Sequence, residues 1–178
     1  MLNARWLPDA RLGPVYRRIV ELEQQKLDQA RSDARDQAES DLRSAQLRYL
    51  AHLLRNRQTQ PARETLDAWP ESVRLSHAHQ IAPLEIRLAA QSGTLDALLA
   101  RYRSQPGTAP SNDVALPTAR ALQSIGDAAS ARRLLGFTYS RELEQYNFSA
   151  TNFLGLAELR LEQGDVAGGM ALLRRMNL

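Results

Sequence analysis

The sequence has no cysteine, which removes disulfides, thiolate metal sites and a cysteine nucleophile together and leaves the redox compartment open. Aromatics are few, with two tryptophans, three phenylalanines and five tyrosines, and valine and isoleucine are sparse beside alanine, leucine, arginine, glutamate and glutamine. That balance argues against a β-rich chain and favours helix along almost the whole length. No apolar run approaches the roughly 20 residues that cross a bilayer, so membrane insertion is not expected. The opening stretch, MLNARWLPDARLGP, lacks the apolar segment of a secretory signal. The expectation is a soluble chain, with the cytoplasm slightly favoured and an envelope location open to it if a signal or anchor was removed.

Lysine is nearly missing as well. Lys26 is the single lysine among 23 basic residues, and against 20 acidic residues the formal net charge is only +3. The first 60 residues hold 11 basic and 8 acidic groups, and the remainder is balanced. Because acidic residues are interleaved and no basic cluster could track a phosphate backbone, nucleic-acid binding ranks last among the function classes. Catalytic motifs are equally missing: there is no GxSxG, HExxH or SxxK and no glycine-rich phosphate loop. Glu142 and Glu144 diverge on a helix, with no second carboxylate opposing either. His77 and His79, two apart, point to different sides of a helix, which argues against a metal pair. No catalytic residue, metal ligand or cofactor is assigned, and no enzyme activity is expected.

What is present is helical periodicity. A chain of 178 residues buries roughly two thirds of the surface its unfolded form exposes, enough for one core of useful size. Apolar residues recur at three and four spacing through Val15, Ile19 and Leu22, then Leu27, Ala30, Ala34 and Ala38, then Leu42, Ala45, Tyr49 and Leu53. Ser40-Asp41 is suited to capping a helix, so a break is expected there, with residues 1–41 a long N-terminal helical segment packing on the rest of the chain.

From residue 42 onward the chain repeats. Helix, short turn and helix recur over about 42–70, 78–105, 113–147 and 149–178, with turn glycines Gly93, Gly126 and Gly164 spaced 33 and 38 apart and a weaker turn near Arg57. Each glycine precedes Thr94, Asp127 or Asp165, residues suited to capping the next helix. Pro83 and Pro117 recur at nearly the same place, early enough for a first helical turn. The segment 104–112, SQPGTAPSN, reads as a loop, and Asp127 to Asn147 as one long helix.

On these residues the chain resembles the tetratricopeptide repeat family, whose period is about 34 residues. The last unit is nearest, with Phe153 at an aromatic position, Leu156 and Ala157 at a leucine-then-small pair, and Gly169 where alanine is usual. The third unit has Ala119, Ala121 and Ala131 at small positions and Leu135 at a packing position, but Ala115 in place of the aromatic. The second has Ile86 and Leu98 where small residues are usual. The resemblance implies an all-α fold, an α-α superhelix or helical solenoid, in which the first helix of each unit lines a concave groove. Counted from the turn glycines, Arg87 and Arg120 share a groove-facing position, Glu158 follows, and Gln91 and Gln123 lie beside them. Two arginines in line suit the carboxylates of a bound peptide, although ordinary surface charge accounts for them too. The two-lysine, two-asparagine clamp of some family members is not visible.

The expected function is therefore a non-enzymatic adaptor or scaffold that holds a protein or peptide partner, on its own or as part of a larger bacterial protein. The alternative is self-assembly, down to a homodimer, through Leu172, Leu173 and Met176 of a last helix that ends with Leu178 and has no capping helix over it. Trp6 and Trp69 are expected in packing, with Trp6 a second possibility as an anchor for a neighbouring chain. His52 is expected with Arg48 and Arg55 on a solvated cationic face. Gly168-Gly169 is costly inside a helix, and close helix contact would explain Gly169 but not Gly168.

Overall fold

The structure, a computed structural model, describes residues 9–176; Trp6 and Leu178 lie outside them. The described residues form ten α-helices and a short 3-10 turn at Pro106–Thr108, with no strand among them. The helices are α1 (Asp9–Gln29), α2 (Arg35–Arg55), α3 (Thr59–Asp67), α4 (Glu71–Ser76), α5 (Ala78–Gln91), α6 (Leu95–Ser104), α7 (Asn112–Ser124), α8 (Ala128–Glu144), α9 (Ala150–Glu162) and α10 (Val166–Met176). The all-α class expected from composition is what the chain adopts. The chain divides into two compact units, residues 1–91 and 92–178. The boundary expected at 41/42 instead falls inside α2, and the division lies within the stretch read as a 78–105 repeat.

In the first unit α2 packs against α1, α3 and α5. Its Leu50, Leu53 and Leu54 meet Ala62 and Leu66 of α3, Trp69, and Ile81 and Leu88 of α5 in one buried cluster. Leu42, Ala45 and Leu53 are buried as their spacing predicts. The helix break does not fall at Ser40. Residues 30–34 separate the two helices, where Ser32 and Asp33 offer the backbone short polar competitors. Ser40 and Asp41 lie exposed inside α2, where Gln37 donates to Asp41 at 2.9 Å and Arg35 to Glu39 at 3.4 Å across successive turns.

α1 presents a different face from the one its pattern suggests. Val15, Ile19 and Leu22 are 45%, 40% and 40% exposed, whereas Leu12 is buried. Tyr16 is turned inward with its ring 5.0 Å from that of His52, which rotates the packed face by about one position. His52 is thereby buried, not part of a solvated cationic face, and the Asn56 amide lies 3.3 Å from its Nε2.

In the second unit α8 packs against α6, α7 and α9, and α9 against α10. The expected glycine turns are present: Gly93, Gly126 and Gly164 have φ of 70°, 86° and 82°. At Gly126 the chain reverses through bonds from Gly126 N to Gln123 O and Asp127 N to Leu122 O, and Gly164 and Asp165 repeat the pattern onto Leu161 and Arg160. Arg57 and Tyr146, at φ 56° and 63°, close α2 and α8 by the same bonding without glycine. Asp127 accepts from Ser130 N at 3.1 Å and Asp165 from Gly168 N at 2.9 Å, but Thr94 makes no side-chain cap bond. Pro83 and Pro117 are not in first turns either. Each is the sixth residue of its helix, because α5 and α7 begin earlier than the apolar pattern shows.

The small residues are used unevenly. Ala115, Ala119, Ala131 and Ala157 are buried, whereas Ala121 is exposed. A Cβ on Gly169 would lie 2.8 Å from Leu161 Cγ and 3.2 Å from the Ala157 carbonyl, so α10 approaches α9 too closely for a side chain there. At Gly168 a Cβ would meet only the ends of the exposed Asp165 and Arg160 side chains, which can move aside, so packing does not explain the glycine there.

Candidate partner-binding face

The second unit brings two of the expected groove residues to one side chain. Tyr139 of α8 lies over Gly155 of α9, where a Cβ would collide with the phenol ring. Burial raises its hydroxyl above the ordinary phenol range, the Glu158 carboxylate of α9 raises it further, and Arg120 of α7 pulls it back. Arg120, Gln123 and Glu158 are all exposed. Gln123 stands three residues after Arg120, on the same side of α7. α7 and α9 thus present a cation and a carboxylate that both act on a half-buried phenol of α8. Such a surface can donate to and accept from an extended peptide.

Arg87 and Gln91, in the first unit, are engaged differently. Arg87 is half-buried, and its guanidinium is pushed below its ordinary range by burial and then by nearby Arg55. Gln91 donates from Nε2 to the Leu54 carbonyl at 2.8 Å, bracing the end of α5 on the last turn of α2. That amide nitrogen acts as a structural strut between the two helices.

The expected self-assembly residues are also redistributed. Leu172 is buried against Phe153, Leu156 and Ala157, and Leu173 packs on the same cluster, which leaves Met176 exposed among the three. The exposed apolar surface of α9 and α10 lies instead at Leu154, Leu161, Val166 and Met170. Spacing held part of this signal, since Leu154 and Leu161 are seven apart and Val166 and Met170 four apart. What hid it was Gly169, whose close contact sets the rotation of α10.

The histidines and paired carboxylates form no common site. His77 lies 2.9 Å from Ser76 Oγ through its Nδ1, and His79 is exposed. Glu142 pairs with Arg141 at 3.1 Å and accepts from Asn147 at 2.6 Å, while Glu144 is exposed. Among the described residues no group of three or more His, Asp or Glu could hold a metal ion, and no helix is long and apolar enough to cross a membrane. No protein-family model, curated protein or solved structure matched the chain.

Proposed function

We propose that this chain is a tetratricopeptide-like, non-enzymatic adaptor that holds an extended segment of a protein partner, and that the α7–α9 side of the second unit carries the contact. The observation behind this reading is that Tyr139, seated against Gly155 of α9, lies within electrostatic reach of both Arg120 and Glu158, from consecutive first helices of the repeat. What supports the repeat assignment is the recurrence of left-handed turn residues at Arg57, Gly93, Gly126 and Gly164. Guanidinium and carboxylate groups held on rigid helices make charge-assisted bonds to a peptide without a large ordering cost. The test is affinity capture with Arg120→Glu, alone and combined with Glu158→Gln. Capture of the wild-type partner should fall while the melting temperature holds; undiminished capture by both variants removes this face from the proposal.

A second reading, self-assembly, rests on the exposed apolar residues Leu154 and Leu161 of α9 and Val166 and Met170 of α10, between 39% and 60% exposed. Monomer alone by light scattering at high concentration would count against it.

A further inference from the structure

On another side of the second unit, α6, α8 and α9 enclose a cleft of about 410 Å³. Its floor is apolar: Leu99, Phe137, Leu156 and Leu159 line it, each less than a tenth exposed. Its rim is cationic, with Arg103 from α6, Arg132 and Arg133 from α8, and Arg160 from α9. Three of these guanidinium groups are held by exposed carboxylates: Arg133 by Asp96 at 3.2 Å, Arg132 by Glu162 at 3.3 Å and Arg160 by Asp165 at 3.4 Å. Exposed pairs of this kind contribute little to stability, so a ligand carboxylate can replace the internal one at small cost. Arg103 makes no ion pair among the described residues. It lies over the Phe137 ring at 5.8 Å and is exposed to solvent.

A second observation concerns Gly136, in the middle of α8 on the cleft wall. Glycine within a helix is disfavoured against alanine, yet no close contact requires it here: a Cβ would meet only Leu159 Cδ1, at an ordinary 4.0 Å. Packing does not account for this glycine, and a larger residue would project into the cleft.

We propose that this cleft is a binding site for an acidic segment of a partner protein, with an apolar side chain seated on the floor and flanking carboxylates on the rim arginines. A peptide fits better than a nucleic acid. Asp96, Glu162 and Asp165, set among the arginines, leave no unbroken cationic track for a continuous phosphate backbone, whereas a single carboxylate needs only one arginine. The Phe137 ring is also already covered by Arg103 and Arg141, at 5.8 and 5.7 Å, and offers no platform for a base. The site is separate from the Arg120–Glu158 side, since Glu158 projects from α9 away from Leu156, Leu159 and Arg160 by helical register.

The test is fluorescence anisotropy on the full chain at low salt, with a labelled synthetic peptide in which single leucines are flanked by glutamates. Saturable binding is expected. It should weaken at least about tenfold with Gly136→Leu, which fills the cleft, and with Arg103→Gln combined with Arg133→Gln, which alters surface residues only. It should also weaken when glutamine replaces glutamate or serine replaces leucine in the peptide, and hold with Arg120→Glu, so that this site and the α7–α9 face are judged separately. Circular dichroism checks that each variant keeps its helices; were Gly136→Leu to unfold, the arginine pair decides. The proposal is overturned by absent binding, by equal binding of the glutamine or serine peptide, by folded cleft variants that bind normally, or by a single-stranded oligonucleotide that displaces the peptide at lower concentration.

Discussion

Tyr139 is the residue through which the candidate face can be measured. Its phenol is raised above the ordinary value of about 10 because burial and Glu158 disfavour the phenolate, while Arg120 favours it. A folded-state pKa above the unfolded one gives stability that is complete below the unfolded value and is lost as pH rises through the folded value. Tyr139→Phe is therefore expected to lessen the fall in melting temperature between about pH 9 and pH 11. Glu158→Gln should lower the phenol pKa and Arg120→Gln should raise it, read as the tyrosinate absorbance that Tyr139→Phe removes. No movement with either variant would mean that the three groups are not neighbours. Sequence pointed to Arg120 and Glu158 through repeat register but passed over Tyr139 and Gly155, because a tyrosine facing a glycine across two helices leaves no periodic trace. Arg57 shows the reverse: its position in the repeat marked a turn that its side chain would not suggest.

Among elements, α8 has the central place in the second unit, and its start is fixed by a cap. Asp127→Ala removes the acceptor for Ser130 N and should cost about 1 kcal/mol in chemical denaturation. Thr94→Ala at the start of α6, where no side-chain cap bond exists, should be close to neutral. Equal costs would sink the distinction. The three turns looked alike in sequence because threonine and aspartate share the chemistry of a cap. Which of them makes the bond depends on backbone angles: Asp127 has φ −92° and ψ 63°, against −107° and 14° at Thr94. The same limit explains α1, where the apolar spacing identified a helix correctly and misjudged its rotation, since Tyr16 turns toward a buried His52.

At the scale of the whole chain, two compact units each bury their own leucines. Leu53→Ala and Leu134→Ala, at residues 1% and 0% exposed, should each cost about 2–5 kcal/mol. Trp69 is buried in the first unit's cluster, so its fluorescence in a Trp6→Phe background follows that unit, while circular dichroism follows both. Leu53→Ala should shift the Trp69 transition; an unshifted midpoint would contradict the core assigned to α2. Composition and periodicity by themselves determined the helical class, the turn glycines and the long α8, because these depend on local propensity and on spacings of three and four. Only tertiary structure decided that α2 runs through Ser40, that Gln91 is a strut, that Leu172 is covered, and that four arginines from three helices ring one apolar cleft. Each of these rests on contacts between residues on different helices, and a helix's own sequence records which residues share a face but not what that face meets.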